Sequence, residues 1–273
     1  MRIGLAGAAP PKESMPWNAW YSWRITDLNR RQSAPLHKLR YNDGRWPASI
    51  EYDAGASAVQ MIADRLATDV VGASMGWRVL QILNEPLNQN ESNWRDSPKE
   101  AAYWCAQVMY YVRARAPWVR FAGPNLGQLD LGWALTFLNE LAKLRAPLDI
   151  YAMHGYEAFY LGWQAIQEHV QAVRAQAPCL GLVPGAPIWV TEIGDLWAST
   201  SEQVRAWMRE IEAFQQLYGE GLGINAWLWF VSYDSTWYQL SPRTCIYDGS
   251  GAAARLTREG QAWWRVCQNL LQG

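Results

Sequence analysis

The chain has 273 residues, 50% hydrophobic and 18% charged, with a formal net charge of −1. That is apolar material for one large core. It excludes a disordered chain, and the charge balance excludes the basic footprint of a nucleic-acid binder. Residues 12–45 hold seven Lys/Arg against three Asp/Glu, which reads as a solvated surface. Cys105, Cys179, Cys245 and Cys267 are widely spaced, with no C-x-x-C and no Cys/His cluster, so neither a disulfide framework nor a metal site is expected. Only three His occur and no H-E-x-x-H, which argues against a zinc hydrolase. The apolar stretch at Met1–Gly7 is too short for a secretory signal, and no run reaches membrane-spanning length. The expectation is a cytoplasmic protein, or a secreted one whose signal has been removed.

In chain order, Ile3–Gly7 reads as a first strand, and residues 8–35 as a long loop with at most a short helix. His37–Asn42, halted by Asp43-Gly44, reads as strand two, and Ser49–Tyr52 as a short strand three. Val59, Ile62, Leu66 and Val70 keep helical spacing and lead into Val79–Leu83, a strand buried on both faces. Pro86 lacks an N–H and stops that strand, leaving Glu85 at its carboxyl end. Ser97, Pro98 and Glu100 start a helix to about Arg115. Strands at 119–122, 149–154, 188–192 and 224–230 then alternate with helices at 131–144, 163–176, 201–218 and 257–271.

This alternation predicts an α/β (β/α)8 barrel, one domain over residues 1–273, with a shortened and irregular N-terminal half. A doubly wound sheet is the other option, but no Gly-rich phosphate loop follows the first strand. The strand ends at Glu85, Pro124, His154, Glu192 and Trp229 recur at about one βα unit each. Simple alternation puts Leu83, Gln81 and Val79 on the face of Glu85, and Val190 and Ile188 on that of Glu192. Ala152 and Ile150 fall with His154, and Trp227 and Asn225 with Trp229. Two carboxylates facing each other across a barrel mouth are what glycoside hydrolysis needs: a protonated acid for the leaving oxygen and a second carboxylate at the anomeric carbon. The usage of 18 Trp against 5 Phe points the same way, because an indole offers a flat face to a sugar ring and an N–H to a hydroxyl. Core packing is the competing use of each Trp.

The motifs Leu83-Asn84-Glu85-Pro86, Asp149–Tyr156, Trp189-Val190-Thr191-Glu192 and Ala226-Trp227-Leu228-Trp229 resemble those of the large clan of (β/α)8 retaining glycoside hydrolases. In that clan the acid/base follows Asn on strand four and the nucleophile ends strand seven. Ile246–Gly251 resembles the clan's tail before the last helix. The resemblance covers residues 77–273 well and residues 1–76 poorly. It implies Glu85 as acid/base, Glu192 as nucleophile, Asn84 on the sugar 2-hydroxyl, Tyr156 hydrogen-bonded to the nucleophile and Trp229 as floor of the −1 subsite. Arg40 matches the arginine near the nucleophile, whereas the clan's strand-three histidine has no counterpart. In length and in Pro187–Glu192 the chain is also similar to small endo-β-1,3-glucanase barrels.

The remaining candidates are His154, with a core histidine as the alternative, and the mouth-loop residues Trp94, Asp195, Trp197, Asp234, Trp237 and Tyr238, with loop packing as theirs. Asn125 is placed to meet a sugar hydroxyl or to make a turn. His37 and His169 read as surface. An acid/base at Glu85 calls for an apolar wall or a nearby anion to keep its proton, and a nucleophile at Glu192 calls for donors such as Tyr156 and Arg40. The expected protein is a monomeric β-glycanase, of endo type in view of its mouth-side aromatics, acting on a β-linked glucan, xylan or mannan or on an oligosaccharide. No cofactor, metal, nucleic acid or membrane is expected. A non-catalytic carbohydrate-binding barrel is the alternative. A lyase or aldolase on the same barrel lacks ligand clusters and an inward strand-end Lys.

Overall fold

The computed structural model describes residues 1–6, 19–22, 36–38, 79–88, 94–115, 117, 120–194, 200–230, 245–248 and 255–272. Eight parallel strands close into a barrel in sequence order, with β8 returning to β1. They are β1 Arg2–Ala6, β2 Ala19–Ser22, β3 Leu36–Lys38, β4 Val79–Gln81, β5 Arg120–Leu126, β6 Ile150–His154, β7 Ile188–Ile193 and β8 Ile224–Phe230. The helices described around it are α1 Pro98–Arg115, α2 Leu131–Lys143, α3 Ala158–Leu161, α4 Trp163–Gln176, α5 Ser201–Phe214 and α6 Arg258–Gln272. A π stretch, Gln215–Gly219, and a last turn, Glu220–Leu222, carry the chain from α5 towards β8. Among the described residues no helix is long and apolar enough to cross a membrane.

Local chemistry explains the helix starts. Asp130 caps α2 by accepting from the Trp133 N–H at 2.9 Å. Thr200 and Gln203 form a reciprocal capping box at α5, an arrangement that satisfies two otherwise orphaned donors. Each helix then buries one stripe: Phe137, Leu138 and Leu141 in α2, Val204, Met208 and Ile211 in α5, Trp263, Val266 and Cys267 in α6. Full burial of one such large apolar side chain stabilises by about 1.5–3 kcal/mol.

Two apolar layers result. An inner cluster of Val79, Ala122, Ile150, Ala152, Trp189, Ala226, Leu228 and Phe230 fills the barrel, and a larger one fills the space between strands and helices. Most described tryptophans serve packing: Trp104, Trp133, Trp189, Trp227, Trp229 and Trp263 are buried. Several of their N–H groups are hydrogen-bonded, Trp133 to the Trp94 carbonyl, Trp189 to Asn225 and Trp227 to Gln215. The tryptophan excess is therefore largely a packing device in these residues.

The second half of the barrel follows the sequence reading closely, and the front does not. Ala19–Ser22, read as loop, is β2; its aromatic pair Trp20-Tyr21 suits a pleated surface. The strand read at His37–Asn42 begins at Leu36 and is the third, not the second. It pairs directly with β4. The strand read at Ser49–Tyr52 and the helix read at 57–74 lie outside the described residues. Strand β5, read at 119–122 with its end at Pro124, runs from Arg120 to Leu126.

Candidate active site

Three side chains meet at the carboxyl ends of β4, β6 and β7. His154 is fully buried, with Nδ1 3.3 Å from Glu85 Oε1 and Nε2 3.6 Å from Glu192 Oε1. These are close electrostatic approaches rather than well-formed hydrogen bonds. One oxygen of Glu85 and one of Glu192 lie within 4.8 Å of each other. Tyr156 donates its hydroxyl to Glu192 Oε2 at 2.8 Å, and Asn88 Nδ2 donates to Glu85 Oε2 at 2.7 Å. Tyr156 also stands edge-on to His154 and to Phe230.

The backbone that delivers these groups departs from regular strand. Between Met153↔Val190 and His154↔Glu192 the β6–β7 register gains one residue, Thr191. The β7–β8 register gains one over the same span. Such a bulge re-aims the side chains that follow it. Accordingly Trp189, rather than Val190 or Ile188, belongs to the inner cluster on β7. A second bulge, at Asn125, shifts β5 against β6. The two inserted residues touch: Thr191 donates its hydroxyl to Asn125 Oδ1 at 3.1 Å, while Asn125 Nδ2 donates to the carbonyls of Ile82 and Leu83.

On β4 the strand proper ends at Gln81, and the chain reaches Glu85 through left-handed backbone at Leu83 (φ 62) and Glu85 (φ 43). Non-glycine residues with positive φ are uncommon, and strain of this kind gathers at functional sites. The Glu85 N–H donates to the Asn125 carbonyl at 3.0 Å, and the Gly155 N–H to the Glu192 carbonyl at 2.7 Å. Both acid-bearing segments are thus held from their main chains. Gly127 and Gly155 leave the room required, since a Cβ at Gly127 would stand 2.8 Å from Glu85 Cγ and one at Gly155 2.7 Å from Ile193 Cδ1.

The electrostatics correct one expectation. Burial of Glu85 favours the neutral acid, but contact with His154 and the Asn88 hydrogen bond favour the anion and outweigh it, even against the nearby Glu192 charge. The Glu85 carboxyl therefore lies below its ordinary value of 4.5, where the sequence reading wanted it raised. Glu85, His154 and Glu192 are the group among the described residues that could hold a metal ion. The imidazole turns one nitrogen to each carboxylate, so the three side chains also form an acid–imidazole–acid chain.

Of the residues singled out from sequence, Glu85, Glu192, His154 and Tyr156 come together, with Asn84 buried beside Glu85. Trp229 does not join them. Its ring lies buried against Trp263 of α6, because β8 turns Ala226, Leu228 and Phe230 inward and Trp227 and Trp229 outward. Phe230 is the β8 aromatic beside Tyr156. Asn125 is fully buried and its amide is engaged with β4 and β7, so it braces strands instead of meeting a hydroxyl. Trp94 is buried, and its carbonyl accepts from Trp133. His169, read as surface, is buried against the Tyr151 hydroxyl at 2.6 Å. Arg40, Asp195, Trp197, Asp234, Trp237 and Tyr238 lie outside the described residues, as does the His37 side chain. Asn88 was missed, although Glu85-Pro86-Leu87-Asn88 has Pro at the second position of a four-residue turn, a signal legible in the sequence.

Comparison with known proteins bears on the fold and the family. The chain is similar in fold to a glucosidase from Croceicoccus marinus, at 14% identity and a TM-score of 0.67, covering 98% of this chain and 67% of that one. It is similar to an exo-β-1,4-mannosidase from Opitutaceae bacterium strain TAV5, at 13% identity and a TM-score of 0.65, covering 100% of this chain and 60% of that one. A third structure, xylanase 10B from Thermotoga maritima, matches at 12% identity and a TM-score of 0.61, covering 100% of this chain and 96% of that one. Among curated proteins none matches the sequence. A family described as glycosyl hydrolase catalytic core matches residues 12–263. A closed (β/α)8 barrel with paired glutamates at its mouth, matched over nearly its whole length, belongs to the glycosyl hydrolase catalytic core family.

Proposed function

We propose that this glycosyl hydrolase cleaves a β-linked glucan, xylan or mannan, or an oligosaccharide of one of them, by double displacement with net retention. The observation that carries the reading is the separation of the acids. An approach within 4.8 Å between one oxygen of Glu85 and one of Glu192 suits a retaining pair, whose carboxyls stand about 5–5.5 Å apart. An inverting pair, at about 6.5–9.5 Å, leaves room for a water that this spacing does not.

In this mechanism Glu192 is the nucleophile, its charge supported by the Tyr156 hydroxyl, and Glu85 is the acid/base. Glu85 hands its proton to the glycosidic oxygen as a Glu192 oxygen bonds to the anomeric carbon and the leaving sugar departs. Esterification removes the Glu192 charge, and with it the repulsion that favours a protonated Glu85. Glu85, left as a carboxylate by that transfer, stays ionised and takes a proton from water as the water attacks the anomeric carbon, which frees Glu192 and restores the Glu85 acid. Asn84 binds the sugar 2-hydroxyl, and Arg40 and Trp197 complete the substrate surface. The neighbours named for β-1,4-mannoside and xylan cleavage support a β-glycan substrate. The protein works as a monomer, one domain over residues 1–273, without metal or cofactor and without nucleic-acid or membrane partners.

The test is reducing-sugar release from β-1,3-, β-1,4- and mixed-linkage glucans, xylan and mannan, with Glu192→Gln beside the native protein. One polymer should be cleaved, and the substitution should lower turnover by on the order of 10³-fold or more while sugar binding persists. A folded native protein silent on all polymers, aryl glycosides and short oligosaccharides would leave carbohydrate binding without catalysis. Loss of binding together with turnover in Glu192→Gln would make Glu192 structural.

A further inference from the structure

We propose that Asn88 and Gly127 are positioning residues that hold the Glu85 carboxylate in one orientation and direct its transferable proton to Oε1. The inference rests on Glu85 as acid/base. The geometry starts in the backbone. The Asn88 N–H donates to the Glu85 carbonyl at 2.8 Å, closing a four-residue turn with Pro86 at its second position. That turn brings the Asn88 amide back over the side chain of Glu85, where Nδ2 meets Oε2 at 2.7 Å. An amide N–H aimed at Oε2 favours that oxygen as the carbonyl acceptor of the neutral acid. The transferable proton is thereby favoured on Oε1.

Gly127 sets the other wall. It follows β5, and a Cβ on it would lie 2.8 Å from Glu85 Cγ, 3.0 Å from Cδ and 3.0 Å from Oε1. The carboxylate lies in a slot that any side chain at position 127 would partly fill. Held by Asn88 at one oxygen and bounded by Gly127 along its length, it presents Oε1 to His154 Nδ1 at 3.3 Å.

The supports act on proton donation and not on the nucleophile, and this separates them from general scaffolding. Leaving groups that depart only when protonated should suffer, and those that leave as stable anions should not. The experiment compares kcat/KM of the native protein, Asn88→Ala, Gly127→Ala and Glu85→Ala on phenyl and 2,4-dinitrophenyl β-glycosides of the sugar found in the polymer panel. Thermal denaturation checks that each variant is folded. Asn88→Ala and Gly127→Ala should lower kcat/KM on the phenyl glycoside by about 10- to 100-fold and change it less than about threefold on the dinitrophenyl glycoside. Asn88→Asp should move the basic limb of the phenyl-glycoside profile to higher pH, because a second carboxylate there disfavours the Glu85 anion. Equal losses on both glycosides, or no loss on either, overturn the inference. If Glu85→Ala itself spares the phenyl glycoside, or no glycoside is cleaved at all, the acid/base reading falls first and this inference with it. If Glu85→Ala is selective and the two support variants are not, the inference alone falls.

Discussion

Glu85 shows how much one residue can be asked to do. It sits on left-handed backbone, a conformation that costs a glutamate of order 1–3 kcal/mol, and the Asn125 carbonyl, the Asn88 turn and the Gly127 slot hold it there. The same neighbours set its charge. Burial raises the carboxyl, yet His154 and Asn88 bring it below 4.5. An acid catalyst must carry its proton when substrate arrives, and kcat/KM reports the ionisation of the free enzyme. The protonated fraction falls as pH rises through a value below 4.5, so kcat/KM should decline about tenfold per pH unit above it, giving an acidic optimum. A pH profile of kcat/KM on a glycoside with a poor leaving group measures this, and a basic limb near neutrality would contradict it. Asn84, Glu85 and Pro86 were legible in the sequence because proline ends a strand by its covalent structure. The depressed carboxyl was not, since it depends on His154, nearly seventy positions away in the chain.

At the scale of elements, periodicity located the second half of the barrel well. Helix α4 at Trp163–Gln176 and strand β8 at Ile224–Phe230 have the bounds that the sequence suggested. Which side chains face inward was a harder matter, because a single inserted residue reverses alternation beyond it. The bulges at Thr191 and Asn125 are such insertions, and each satisfies the other's polar group across the barrel. Asn125 deserves the stronger prediction. Its φ of 57 suits glycine, so Asn125→Gly relieves the backbone and removes only the amide that serves the Ile82 and Leu83 carbonyls and the Thr191 hydroxyl. The variant should nonetheless be destabilised by about 1–3 kcal/mol, because buried polar groups lose their partners. Urea unfolding would show this as a lower midpoint at an unchanged slope. A neutral or stabilised variant would mean that strain relief at this position outweighs the brace.

Across the whole molecule, the layer between barrel and helices is mostly apolar, and His169 is an exception within it. It is buried on α4 with its ring against the Tyr151 hydroxyl of β6. Burial pushes it down to about 4 from 6.5, only partly opposed by Asp130 and by the Leu129 backbone. The sign follows from proton uptake. The unfolded chain takes a proton at His169 as pH falls below 6.5, and the folded protein does not until about 4. Stability from this group is therefore whole above 6.5 and is lost progressively down to about 4, by roughly 3 kcal/mol if it acts alone. Replacing His169 by Gln should flatten the pH dependence of the unfolding free energy between pH 6.5 and 4, as read from urea titrations at several pH values. An unchanged slope would show that other groups dominate that range.

The sequence by itself determined the fold class, the order of strands in the second half, and the two glutamates at strand ends. Hydrophobic period, proline and capping residues act within a few positions of themselves, and that range suffices for such features. Only the tertiary structure decided that Trp20-Tyr21 belong to a strand, that β3 neighbours β4 directly, and that Trp229 faces α6 while Phe230 faces the site. It also decided that His154 stands between the acids and that Asn88 and Gly127 confine one of them. These outcomes depend on register, bulges and burial, which are set where distant segments meet and so leave no mark in any one short stretch of chain.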